Sequence, residues 1–103
     1  MSTVVARSDM PVSDLRVLIA LLSHETVLAK DLMVPVKIHP SQLFLVLGRL
    51  IDQEFIDQLT VPSLGPGQFD RRYYSLTEEG RRVAEEEFEL LSLLMREANL
   101  RVT

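Results

Sequence analysis

The order and spacing of apolar residues predict a mainly α (α+β) chain, and three observations carry that reading. Three short stretches before residue 55 have helical spacing, starting at Leu15, Val27 and Pro40. Two strand-like runs, Phe55 to Val61 and Arg71 to Leu76, flank a tract of turn residues, Pro62-Ser63-Leu64-Gly65-Pro66-Gly67. A last apolar stripe then continues from Thr77 to about Leu100. The order helix, helix, helix, strand, turn, strand, helix is that of a winged helix-turn-helix with a long C-terminal dimerisation helix. The expected division is a flexible N-terminus over 1–11, the winged helix-turn-helix domain over 12–76, and the dimerisation helix over 77–103.

Each element has its own chemical signal. Ser13-Asp14 precede Leu15 to Leu22, a helix apolar on nearly every side and therefore buried on more than one face. Val27 to Val34 reads as a brief helix that Pro35 stops, followed by an extended link, Val36-Lys37-Ile38. Pro40 suits the first turn of the third helix, which runs to about Glu54. On a helical wheel Leu43, Leu47, Leu50 and Ile51 form its core face, with Phe44 at the edge. Ser41, Gln42, Leu45, Arg49, Asp52 and Gln53 lie opposite, flanked by Val46 and Gly48. Glycine costs that helix about 1 kcal/mol relative to alanine, which suggests a close approach there. Tyr73 and Tyr74 alternate across a strand, so one belongs to the core and the other to a surface. Thr77 is a natural N-cap, and Glu78 and Glu79 put negative charge on the first turn of the last helix.

Composition narrows the function classes. The 103 residues are 47% apolar and 25% charged, with no cysteine, which fits a single intracellular domain with no disulfide and no thiolate metal site. No apolar run approaches the roughly 18 residues of a membrane span, and no signal-peptide pattern opens the chain. The expected location is the cytoplasm. The net charge of −4 is unevenly placed: residues 1–75 hold 7 Lys and Arg against 8 Asp and Glu, and residues 76–103 hold 4 against 7. The front of the chain is thus nearly neutral and has little long-range pull on phosphates. His24 and His39 lack a second ligand at metal-like spacing, so both read as turn or capping residues. Glu85, Glu86, Glu87 and Glu89 have no partner base or nucleophile, so no catalytic constellation, metal or cofactor is expected.

The stretch Arg71-Arg72-Tyr73-Tyr74-Ser75-Leu76-Thr77-Glu78-Glu79-Gly80-Arg81 resembles, almost letter for letter, a segment of the PadR-like transcriptional regulators. Pro40 to Ile56 resembles a second PadR segment without a gap. Pro40, Leu43, Leu47, Arg49, Leu50 and Ile56 match, with Phe44 where that family has tyrosine. The resemblance covers roughly residues 39–90. It is looser in the first helix and lacks the family's His-Gly-Tyr at the start of the second. Thr-Glu-Glu-Gly-Arg is also similar to MarR-like regulators. The resemblance implies a dimeric, DNA-binding repressor whose C-terminal helix makes the dimer.

The leading expectation is therefore a homodimeric regulator on a pseudo-palindromic operator of double-stranded DNA. Arg49 and Gln42 would read bases, aided by Ser41, while Lys37, Arg71 and Arg72 would hold phosphates. Lys30 would add a backbone contact. The two wing arginines have another use open to them: pairing with Asp57, Asp70 or the acidic last helix. Leu18, Leu21, Phe88, Leu91, Leu94 and Met95 are the expected dimer interface, since a small domain covers only one side of so broad a stripe. The alternative function is a protein-interaction module, with Leu45 and Val46 as its docking patch.

Overall fold

The computed structural model describes residues 10–102, and side chains as far as residue 99. Its elements are α1 (Val12–Leu21), β1 (Val27–Leu28), α2 (Ala29–Val36), α3 (Pro40–Asp52), β2 (Ile56–Val61), β3 (Arg71–Leu76) and α4 (Glu78–Val102). The three strands form an antiparallel sheet in the order β1-β3-β2. This is the α+β winged helix expected, with differences at three places. Residues 1–9 of the segment expected to be flexible lie outside the described residues.

The first difference is that Ser13 and Asp14 belong to α1 itself. Pro11 precedes the helix, and its carbonyl accepts the N–H groups of Asp14 and Leu15 at 3.0 and 3.1 Å. The second is that Val27 and Leu28 form a strand, not a helical turn. They pair with Tyr74 and Tyr73 of β3, and this pairing buries the β-branched Val27 to 5% exposure. The third is that Pro35 lies inside α2 instead of ending it. Its fixed φ is helical, and the cost is one main-chain donor in the last turn.

What stops α2 is Lys37, in the left-handed region at φ 57°. Its N–H donates to Val34 at 3.2 Å, and that of Ile38 donates to Met33 at 3.3 Å. α3 ends the same way. Glu54 sits at φ 62°, its N–H donates to Ile51 at 2.9 Å, and Phe55 N–H reaches Leu50 at 3.0 Å. Both are Schellman closures made without glycine.

The core gathers Leu18 and Leu21 of α1, Leu32 of α2, the α3 stripe Leu43-Val46-Leu47-Leu50, Ile56, Tyr74, and Val83 and Ala84 of α4. Each fully buried leucine contributes about 1.5–3 kcal/mol through apolar area removed from water. Two expectations fail here. Leu18 and Leu21 are 0% exposed within one copy of the chain, so neither has surface left for a dimer partner. Val46 is also 0% exposed, so it supports α3 from beneath and cannot dock a protein. Phe44, set at the edge of the core face on the wheel, is 48% exposed instead.

The start of α4 is clamped to the end of α3. Thr77 N–H donates to the Phe55 carbonyl at 3.0 Å, and its hydroxyl donates to the Glu54 carbonyl at 2.7 Å. The same hydroxyl accepts the Gly80 N–H at 2.9 Å, which is the N-cap bond that Thr77 predicted. Gly80 is needed for space: a Cβ there would lie 1.8 Å from the Phe55 carbonyl oxygen. After Ala84 the helix leaves the domain. From Glu85 to Asn99 every residue is exposed except the half-buried Glu87 and Ser92. The molecule measures 58 × 32 × 23 Å as a result.

Candidate nucleic-acid interface

α3 presents Ser41, Gln42, Phe44, Leu45, Gly48, Arg49 and Asp52 to solvent. Pro40 opens the helix, and the His39 ring caps it by accepting the Ser41 N–H at Nδ1 over 3.2 Å. The Ser41 hydroxyl is engaged with the same nitrogen at 2.8 Å. His39 is thus a capping residue, as its isolation in the sequence suggested. The Gln42 side chain makes no hydrogen bond among the described residues and is free at the helix start.

Arg49 differs from its expected role. Its Nε donates to Asp14 Oδ2 at 3.1 Å and its Nη2 to Asp14 Oδ1 at 2.7 Å. Asp14 is only 1% exposed, so the guanidinium neutralises a buried carboxylate in two-pronged geometry. The hydrogen bonds to Asp14, opposed by desolvation and helped by the Asp14 charge, raise the Arg49 pKa above its ordinary value. An arginine held this way ties α1 to α3 and is not free to reach a base edge. Asp14 beside the apolar run of α1 was the available clue, since a carboxylate buried with that run needs a cation.

The wing stands on Tyr74, buried in the core at 2% exposure. Burial pushes its phenol above its usual pKa, and the neighbouring Arg72 draws it partly back. Asp70 accepts the Ser63 N–H at 2.9 Å across the turn, and Gly67 takes φ 80°. Arg71 and Arg72 follow on alternate faces of β3, opposite Val61 and Thr60 of β2. Both are exposed, and neither makes an ion pair among the described residues. Pairing with Asp57, Asp70 or α4 is not seen; on α4 it is Arg82 that bonds Glu79 and Glu86.

A groove of about 860 Å³ runs between the wing, the start of α2 and Phe44 of α3. Lys30, Arg71 and Arg72 line it together with Phe44, Phe69 and Tyr74. Lys37 is not part of it: it borders a separate depression with Arg16 and Ala20, toward α1. Sequence reading missed Phe69 and Leu64, which stand 91% and 95% exposed on the wing loop. Apolar residues inside a turn-forming tract were the signal. On α4, Phe88, Leu91, Leu94 and Met95 are 45–67% exposed, and so are Leu90 and Leu93 within that range.

Three helices, a hairpin wing and a projecting last helix define the winged-helix class. No family model matches the chain, and no curated protein matches its sequence. Among solved structures it is similar to the reduced form of MarR from E. coli, at TM-score 0.74 and 17% identity, covering 99% of this chain and 73% of that one. It is equally similar to a PadR family transcription regulator from Clostridium difficile, at TM-score 0.73 and 17% identity, over 90% of this chain and 100% of that one. A mutant of E. coli MarR complexed with operator DNA matches at TM-score 0.64 and 17% identity, over 79% of this chain and 55% of that one. The fold is that of the MarR and PadR regulators. Among the described residues no helix is long and apolar enough to cross a membrane, and no cluster of three or more metal-binding side chains occurs.

Proposed function

We propose that this chain is a non-enzymatic, cytoplasmic transcriptional regulator, a repressor that binds a pseudo-palindromic operator as a homodimer. Residues 12–76 form the reading domain and residues 77–103 the dimerisation helix. The supporting observation is the groove where Lys30, Arg71 and Arg72, three cations without ion-pair partners among the described residues, stand with Asp70 and with Phe44 of α3. That arrangement suits a phosphate backbone crossing between the recognition helix and the wing. Lys37, three residues ahead of α3, supplies a further backbone contact, Ser41 lies at the helix start against the DNA, and Gln42 meets the bases. The exposed face of Phe88, Leu91, Leu94 and Met95 is the dimer surface, because water is a poor neighbour for so much apolar area. A solved MarR mutant complexed with operator DNA is a relative of the same fold, which adds support.

A gel-shift titration over a salt series tests the DNA reading. Binding should weaken steeply with salt, and Arg72→Ala should weaken all sequences about equally while flattening the salt slope by about one unit per chain. Light scattering on the wild type and on Leu91→Glu tests the dimer: a wild-type monomer at micromolar concentration overturns it. The exposed Phe44, Leu45, Leu64 and Phe69 favour a second reading, a protein-docking module. Retention of a protein partner lost in Leu45→Glu, with no DNA bound at low salt, selects that reading.

A further inference from the structure

We infer that α3 reads thymine through its methyl group, with Leu45 as the specificity-determining residue. This rests on the DNA-reading function proposed above. Few side chains on the exposed face of α3 are free to read bases. Arg49, the residue best suited to guanine, has its guanidinium bound to the buried Asp14. The Ser41 hydroxyl is engaged with His39 Nδ1. Asp52 is an acceptor that duplex phosphates repel, and it lies at the far end of the helix. Gln53, the C-cap, lies at that same far end. Gln42 is the remaining side chain within α3, among the described residues, with free donors and an acceptor.

Beside Gln42, one turn on, Leu45 stands 65% exposed, and Phe44 adds 48% exposed ring next to it. A leucine kept in water at this position has no core to serve. Its natural complement in the major groove is the thymine C5-methyl, the apolar feature the four bases offer there. Gln42 completes the pair, because its amide matches adenine N6 and N7 in bidentate geometry. Gly48 follows Leu45 on the same strip, with nothing within 4 Å of where a Cβ would stand. Without a side chain there, the helix can seat deeply enough for the leucine to touch the groove floor. The amide, the isobutyl group and the bare turn together select A·T over G·C.

The test starts with selection of random-sequence duplexes by the full-length protein. Enriched duplexes are then remade with deoxyuridine in place of individual thymines, which removes only the methyl group. At contacted positions the wild type should bind about four-fold more weakly, the value of one buried methyl. In Leu45→Ala, which alters an exposed residue, the thymine and uracil duplexes should bind alike. Enrichment followed by no uracil effect, or by the same effect in Leu45→Ala, overturns thymine reading and leaves the regulator reading standing. No enriched duplex at any salt overturns both.

Discussion

Gly80→Ala and Gly48→Ala should have opposite effects, although the substitution is the same and both sites are helical. At Gly80 the added Cβ falls 1.8 Å from the Phe55 carbonyl oxygen and 2.7 Å from its carbon. Ordinary contact begins near 3.4 Å, so α4 and the end of α3 must separate by well over an ångström. Two hydrogen bonds span that junction: Thr77 N–H to Phe55 and the Thr77 hydroxyl to Glu54. At about 1 kcal/mol each they put roughly 2 kcal/mol at risk. The helix propensity of alanine returns about 1 kcal/mol, leaving a loss of about 1 kcal/mol. At Gly48 there is only open space, and alanine should stabilise the free protein by up to about 1 kcal/mol. Urea unfolding followed by far-ultraviolet circular dichroism reads both, as midpoints moving in opposite directions. A Gly80→Ala midpoint equal to or above the wild type would refute the reasoning, since no clash would then exist to relieve.

Three other outcomes follow from the same geometry. Arg49→Ala should lower the urea unfolding midpoint, because it leaves the buried Asp14 carboxylate without its cation. The double variant Asp14→Ala/Arg49→Ala should recover part of that loss; if it is no better than Arg49→Ala, the unpaired carboxylate is not the cause. Glu54→Gly should gain about 0.5–1 kcal/mol in thermal unfolding, because glycine occupies the left-handed position without strain. The raised pKa of the Tyr74 phenol means that the folded state holds its proton more tightly than the unfolded chain does. Its contribution is therefore complete below the ordinary tyrosine pKa of about 10 and is lost as pH rises through the higher folded value. Tyr74→Phe should abolish that part of the alkaline destabilisation, measured as unfolding midpoints between neutral and strongly alkaline pH.

Local chemistry made most of the fold legible. Thr77 announced its cap, Pro40 its first turn, and the Pro62–Gly67 tract its hairpin, since each signal acts within a few residues of itself. What failed were readings that depend on distant partners. Arg49 meets Asp14 across 35 positions, so a helical wheel showed an outward cation where the fold makes an ion pair. Val27 looked helical until β3 arrived to pair with it. Leu18 and Leu21 were rightly apolar but were assigned to a second chain, when Leu32, Leu43 and Leu47 of the same chain share their core. The exchange of Val46 and Phe44 has a smaller cause: the buried arc is shifted slightly from the one chosen on the wheel. The wing arginines lay where the sequence put them, because strand alternation is rigid.

The way α4 departs from the domain has a mechanical consequence. Beyond Ala84 it extends through Glu85 to Val102, about 27 Å at 1.5 Å per residue. Its base is held by the Thr77 clamp and the contacts of Val83 and Ala84. Such a helix is a lever. A tilt of about 10° at the base carries its far end roughly 5 Å, more than the roughly 3.4 Å step between stacked bases. In a dimer held together along α4, a change of packing too small to disturb either core would move the two reading helices out of step with their half-sites.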